Sequence, residues 1–188
     1  METETTLPFY WVVPGRLAAG PYPGARDRVG CEKKLRELLS HGVRSFVDLT
    51  EPGEVSRLGL LASYDEALSQ VAQDADGGTA YRRFAVADLS VPTPLTMLQV
   101  LDHLDAEVAA GRPVYVHCLG GKGRTGTVVG CYLLRHAARL LRPGEPVSPR
   151  SALEHLVRLR AIQGVPDPWG SPQTICQFAF VQSWVEGV

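Results

Sequence analysis

The chain has 188 residues, 45% of them hydrophobic and 21% charged, and nineteen Lys and Arg nearly balance twenty Asp and Glu to give a formal charge of −1. Such a composition suits a globular protein with a substantial core. It excludes a field strong enough to draw the chain onto nucleic acid or an anionic membrane, so any attraction for an anion must be local.

The start METETTLPFYWVVPG has no basic stretch followed by an apolar one, and no apolar run approaches the roughly 20 residues of a membrane helix. The expectation is a cytoplasmic protein with no integral membrane association and no nucleic-acid partner. Cys31, Cys118, Cys131 and Cys176 are scattered, with no CxxC pair, which argues against a zinc site or a disulfide framework. His41, His103, His136 and His155 stand isolated and suggest no metal ligation. No repeat or linker divides the sequence, so residues 1–188 are read as one α/β domain, with residues 1–10 a loosely ordered start.

Residues 8–24 (PFYWVVPGRLAAGPYPG) read as extended chain with a short strand near Leu17. Leu35, Leu38 and Leu39 recur at helical spacing in 31–40, and Gly42 ends that helix. VRSFVDL (43–49) reads as a buried strand, followed by turn chemistry in Glu51-Pro52-Gly53. Residues 54–72 are predicted helical, QDADGGT (73–79) a loop, and YRRFAVA (81–87) a strand. Thr93-Pro94, Ser148-Pro149 and Ser171-Pro172 each set a capping hydroxyl before a proline and predict three helix starts. Leu95, Leu98, Leu101, Leu104 and Val108 make one apolar stripe after the first of them. PVYVHC (113–118) predicts a buried strand, and TGTVVGCYLLRHAARLL (125–141) an apolar, central helix. Strand and helix alternate, so the predicted fold is α/β, a largely parallel or mixed sheet with helices on both faces. Cys118 falls at the carboxyl end of a strand, where such folds bind ligands.

Residues 117–126, HCLGGKGRTG, are the chemically informative segment. A strand enters a glycine-rich turn and a helix leaves it. Gly120, Gly121 and Gly123 permit backbone angles that let successive N–H groups converge on an anion, with Leu119 and Lys122 in the same turn. The positive end of the helix points to the same place, and Arg124 adds a planar two-pronged donor matched to phosphate. That field favours the ionised, nucleophilic form of Cys118, and a thiolate beside a bound phosphate is an in-line nucleophile. Thr125 can donate to the sulfur, and His117 can orient the loop through a ring N–H. A Walker A loop needs GxxxxGK[ST]; here Val116 stands five before Gly121 and Gly123 follows Lys122. Rhodanese-type sulfurtransferases have four residues between Cys and Arg, against five here.

HCLGGKGRTG resembles the HCx5R[ST] signature of the protein tyrosine and dual-specificity phosphatase superfamily. WVVPGRLAAGPYPG (11–24) and FVDLTEPGE (46–54) extend the likeness to a bacterial and plant subfamily of small dual-specificity-like members, over about residues 11–185. The resemblance implies a cysteine-phosphatase fold and hydrolysis of phosphomonoesters through a phosphocysteine on Cys118. No cofactor or metal is needed, and the partner is a phosphorylated protein or another phosphomonoester. It does not imply oligomerisation, and a monomer is expected. The segment 87–93 (ADLSVPT) resembles the acid loop of the compact members, making Asp88 the general acid. QTICQF (173–178) resembles the QTxxQ segment, with the water-positioning glutamine falling on Gln173 and Gln177 one turn later. Leu119 departs from the bulkier residue expected there, which bears on substrate choice. Lys122 is shared with a phosphoinositide phosphatase of the superfamily, whose second lysine is replaced here by Leu119. It leaves phosphoinositide or inositol and nucleotide polyphosphates open as alternatives to a protein substrate, and a non-catalytic phosphate-binding module is a further alternative.

Asp102 and Asp105 read as mid-helix surface charges. Cys131 is about 9 Å of helix rise from Thr125, beyond disulfide reach of Cys118, and reads as core. Trp11, Tyr22, Trp169 and Trp184 read as packing residues, with Tyr22 and Arg26 the candidates to reach toward the loop.

Overall fold

A computed structural model describes residues 7–56, 59–60, 63–73, 78–141, 147–165 and 170–185. β1 (Tyr10–Val13) and β2 (Leu17–Gly20) lead to α1 (Arg28–Ser40) and β3 (Ser45–Asp48). A small hairpin, β4 (Val55–Ser56) with β5 (Gly59–Leu60), precedes α2 (Asp65–Ala72) and β6 (Ala80–Arg83). Then come α3 (Pro94–Ala109), β7 (Val114–His117), α4 (Gly123–Arg135), α5 (Ala137–Leu140), α6 (Pro149–Ile162) and α7 (Ile175–Ser183).

The main sheet runs β1-β2-β7-β3-β6, with β1 antiparallel to β2 and every other pair parallel. β7 lies in the middle and all four of its residues are buried, as a parallel strand covered on both faces must be. The two-residue period sends Val114 and Val116 to one core, with Val47, Leu101, Val129 and Leu156. Tyr115 goes to the other core, with Leu35, Phe46 and Leu68. Helices α3, α4, α6 and α7 supply the first core, and α1 and α2 the second. This is the α/β sandwich expected from the sequence. Each fully buried Leu or Val contributes roughly 1.5–3 kcal/mol, so the central position of β7 is strongly held, and with it the start of the loop that follows.

The element boundaries differ from expectation in four places. The stretch 54–72 is helical only from Asp65. Before it Glu54 is drawn to Arg124, and β-branched Val55 and Gly59 suit the extended hairpin better than a helix. Ser171-Pro172 starts no helix: the Ser171 hydroxyl bonds Lys122 O, their peptide bond is cis, and Thr174 caps α7 instead, in a capping box with Gln177. The central helix begins two residues early, at Gly123, and breaks at His136, whose ring is pulled 2.7 Å from Asp105. The strand read at 81–87 has regular strand geometry over 80–83, and past it the Phe84 and Val86 N–H groups continue to Asp48 O and Leu49 O. By contrast Thr93 and Ser148 accept from Thr96 and Ser151 N–H as their sequence implied, each such cap contributing about 1 kcal/mol.

Leu7 and Tyr10 are buried; residues 1–6, the rest of the expected loose start, lie outside the described residues, as do Trp169 and 74–77 of the expected loop. Asp102 and Asp105 join Arg135, at 2.8 and 3.0 Å, tying α3 to α4. Cys131 is fully buried, and burial pushes its thiol up. Among the described residues, no helix is long and apolar enough to cross a membrane.

Candidate active site

The loop from Cys118 to Lys122 connects β7 to α4, and its backbone is oriented from outside through its carbonyl groups. Cys118 O receives the His117 ring Nδ1 at 3.3 Å. Leu119 O receives Tyr22 N–H at 3.0 Å. Gly121 O receives the Arg160 guanidinium at 3.0 Å, and Lys122 O the Ser171 hydroxyl at 2.8 Å. In a planar trans peptide the C=O of one residue and the N–H of the next point opposite ways. Four carbonyls held outward therefore turn the N–H groups of Leu119, Gly120, Lys122 and Gly123 inward, the arrangement of an anion nest. The first turn of α4 has no side-chain cap, so its N–H groups add the positive end of the helix to the same concavity. Gly121 is obligatory: φ is +68°, and a Cβ there would come within 3 Å of the Gly20 and Pro21 backbone.

Arg124, at the second position of α4, is 1% exposed. Its Nη1 and Nη2 meet the Glu54 carboxylate at 2.6 and 2.7 Å, and Nη1 also reaches Val86 O at 2.9 Å. Nη2 lies 2.9 Å from Asp88 Oδ1. Burial opposes ionisation of Glu54, but the Arg124 hydrogen bonds, the Glu51 N–H and the Arg124 charge outweigh it and hold the carboxyl below its usual range. Burial likewise opposes the Arg124 charge, and Glu54, Cys118 and Asp88 more than restore it. Arg124 Nε and Thr125 Oγ1 are buried without a hydrogen-bond partner among the described residues. A buried donor left unmade costs about 1–3 kcal/mol, so two such atoms in the first turn of α4, which follows the loop of the 3% exposed Cys118, mark a place where a polar ligand belongs.

Behind the loop is a second polar layer. Asp48 at the end of β3 is fully buried. Its Oδ1 accepts from Thr50 N–H and hydroxyl at 2.8 and 2.7 Å, and its Oδ2 from Tyr81 and Arg83 at 2.7 and 2.9 Å. The His117 ring lies 4.0 Å from it, and Tyr64 Oη is 2.6 Å from His117 Nε2. Cys118 O can only accept, so Nδ1 carries the proton and neutral Nε2 accepts from Tyr64. Burial, only partly offset by Asp48, pushes the His117 pKa down to about 4. The imidazole is thus neutral and hydrogen-bonded at both ring nitrogens, to Tyr64 Oη and Cys118 O.

The segment carrying Asp88 turns sharply: Ser90 N–H bonds Ala87 O at 3.1 Å, and Leu89 has φ +59°, a region that costs a branched side chain roughly 1–2 kcal/mol. The first turn of α7 holds it there. Thr174 Oγ1 donates to Leu89 O at 3.3 Å, and Gln177 Nε2 to Ser90 O at 2.9 Å.

The structure thus brings His117, Cys118, Leu119, Gly120, Gly121, Lys122, Gly123, Arg124, Thr125 and Asp88 together. Lys122 is half-buried at the start of α4. Leu119 is half-buried against the Tyr22 and Tyr64 core. Gln173 is exposed, with its backbone N–H on Gln177 Oε1; the glutamine buried against the loop is Gln177. Tyr22 lies behind the loop, 5.5 Å ring to ring from His117, and Arg26 is exposed on a groove with Cys31 and Gln70. Sequence reasoning missed Glu54, Asp48, Tyr64, Arg160 and Ser171. Arg160 alone had a local signal: it occupies the apolar stripe of Leu153 and Leu156, and a cation on a buried face must find a partner.

The chain resembles known proteins over the same elements. It is 26% identical over 165 residues to protein tyrosine phosphatase domain-containing protein 1 of Bos taurus, covering 79% of this chain and 21% of the relative. It is 26% identical over 152 residues to dual specificity protein phosphatase CDC14C of Homo sapiens, covering 74% and 31%. The chain therefore spans between a fifth and a third of the length of these curated relatives. Among solved structures it superposes on Tk-PTP in its active form with a TM-score of 0.67 and 24% identity, covering 93% of both chains. A family model, Tc-R-P, described as polymorphic toxin system, DSP-PTPase phosphatase, matches residues 24–138. That span takes in more than half of the chain and the whole strand, loop and helix bearing Cys118 and Arg124, and the protein belongs to this DSP-PTPase phosphatase family.

Proposed function

We propose that residues 1–188 act as one phosphatase domain that hydrolyses phosphomonoesters on proteins through a phosphocysteine. The observation that carries this reading is the convergence on Cys118 of an outward-pinned loop, an uncapped helix start and Arg124 with its unpartnered Nε. In the first step Cys118 Sγ attacks phosphorus, the S–P bond forms and the P–O ester bond breaks. Asp88 gives its proton to the leaving oxygen, and the loop N–H groups with Arg124 stabilise the charge of the transferring group. The sequence pattern assigns to Thr125 the hydrogen bond to the sulfur, and its buried Oγ1, without a partner among the described residues, supports that role. In the second step water attacks phosphorus, Asp88 takes its proton, the S–P bond breaks and inorganic phosphate leaves. The sequence likeness assigns the water to Gln173. Four free cysteines, with a thiol as nucleophile, suit a reducing compartment, which supports a cytoplasmic site of action.

Purified protein should release phosphate from p-nitrophenyl phosphate in the presence of EDTA, and Cys118→Ser should abolish release while retaining substrate binding. Well-folded protein that turns over none of a panel of phosphopeptides and aryl phosphates overturns the proposal. The phosphoinositide reading rests on Lys122, and it loses its support if Lys122→Ala slows every substrate by the same factor.

A further inference from the structure

We infer that Gln177 is a positioning residue that clamps the Asp88 segment over the phosphate loop, so that proton delivery to the leaving group depends on it. The inference rests on the reading of Asp88 as general acid.

Gln177 is fully buried. Its Oε1 accepts from the N–H groups of Gln173 and Thr174, both at 3.1 Å, which completes the helix cap. Capping needs only that oxygen. The carboxamide nitrogen is surplus to the cap, and it donates to Ser90 O, two residues beyond Asp88. The other face of the same group lies on Gly123, where an added Cβ would come 2.8 Å from Oε1 and 2.9 Å from Nε2. One side chain therefore touches the helix start at the phosphate loop, the cap of α7 and the acid segment.

The neighbouring residues serve the same end. Thr174 Oγ1 holds Leu89 O, so the two carbonyls that follow Asp88 are both bound by the first turn of α7. Leu89 occupies the left-handed region with its side chain half exposed, a conformation that persists only where its surroundings impose it. Support from α7 is firm because that helix lies close on α4, with Val181 against Gly130. Asp88 is held on its other side by Arg124 Nη2. Asp88, read as the general acid, is thus held relative to the phosphate loop by contacts from both directions.

The test compares kcat/KM over a series of aryl phosphates from p-nitrophenyl to phenyl. Gln177→Glu keeps the capping oxygens and removes the donor to Ser90. Leu89→Pro, at a half-exposed loop residue, forbids the positive φ and so loosens the same clamp without touching the core. Asp88→Asn is measured beside them and should lose roughly 10²–10⁴-fold on phenyl phosphate and far less on p-nitrophenyl phosphate. Both clamp variants should show the same preference for the better leaving group, by about ten-fold, and Gln177→Glu should add no further selectivity on top of Asp88→Asn. If both lose equally on all leaving groups while Asp88→Asn discriminates, Gln177 is only a helix cap and the inference is overturned. If Asp88→Asn itself fails to discriminate, the general acid lies elsewhere and the clamp falls with that reading.

Discussion

Replacing Glu54 tests the least anticipated contact of the site. Arg124 is 1% exposed, and both its terminal nitrogens lie within 2.7 Å of the Glu54 carboxylate. Glu54→Gln leaves one oxygen acceptor and turns an NH2 group toward a guanidinium N–H. One charge-assisted hydrogen bond is lost, about 1.5–3 kcal/mol. The Arg124 charge is then supported by Asp88, Val86 O and, at 3.4 Å, Leu49 O. Breaking a buried pair from one side costs about 3–5 kcal/mol; the surviving acceptors place this case near the lower end, at about 3 kcal/mol. At about 2–4 °C per kcal/mol for a protein of this size, Tm should fall by roughly 6–12 °C. The guanidinium should also shift toward Asp88, and displacing a phosphate ligand by about 1 Å can cost up to about 10²-fold in kcat/KM. Thermal unfolding followed by circular dichroism, and p-nitrophenyl phosphate kinetics well below the new Tm, read the two effects separately. An unchanged Tm with unchanged kcat/KM refutes the claim that Glu54 sets the Arg124 fork.

Two further outcomes follow from the loop and the layer behind it. The folded pKa of His117, about 4, lies below its ordinary value of 6.5, so between them the unfolded chain binds a proton that the folded one refuses. Stability should therefore fall as pH drops from about 6.5 to 4, by about 3 kcal/mol from this group; urea unfolding should show that fall in the native chain and its absence in His117→Asn. Asp48 and Glu54, both held below the usual carboxyl range, lose their contributions only at lower pH, as a second acid phase. Gly121→Ala should lower stability by at least about 1–2 kcal/mol, the ordinary cost of the left-handed region, with added loss from the clash with Gly20 and Pro21, and should weaken vanadate binding. Gly120→Ala, where a Cβ meets nothing within 4 Å, is the control, and equal effects at the two positions would contradict the geometry.

Local signals were legible where the chemistry is contiguous. The loop 117–126 needed no tertiary information, because nucleophile, glycines, arginine and helix start follow one another within ten residues. β7 and α4 were legible for a related reason: their valine-, leucine- and tyrosine-rich runs are those of segments buried at the centre of a sandwich. The helix over-read at 54–72 shows the opposite case. Its residues carry no decisive local preference, and Glu54 answers to Arg124, seventy positions away. The Ser171-Pro172 pair has the chemistry of a cap, yet its hydroxyl is taken by Lys122 O, forty-nine positions off.

The amino-acid sequence alone thus pointed to the candidate reaction centre and determined the α/β class and the glycine-rich loop between β7 and α4, because each depends on neighbours in the chain and on hydrophobic period. Tertiary structure alone decided what holds that centre in register: Glu54 on Arg124, Arg160 on Gly121 O, the Asp48 and Tyr64 layer beneath His117, and Gln177 on Ser90 O. The physical reason is that a polar group leaving water must be paired somewhere. Which partner it finds is set by how strands and helices stack in space, a relation that spacing along the chain does not encode.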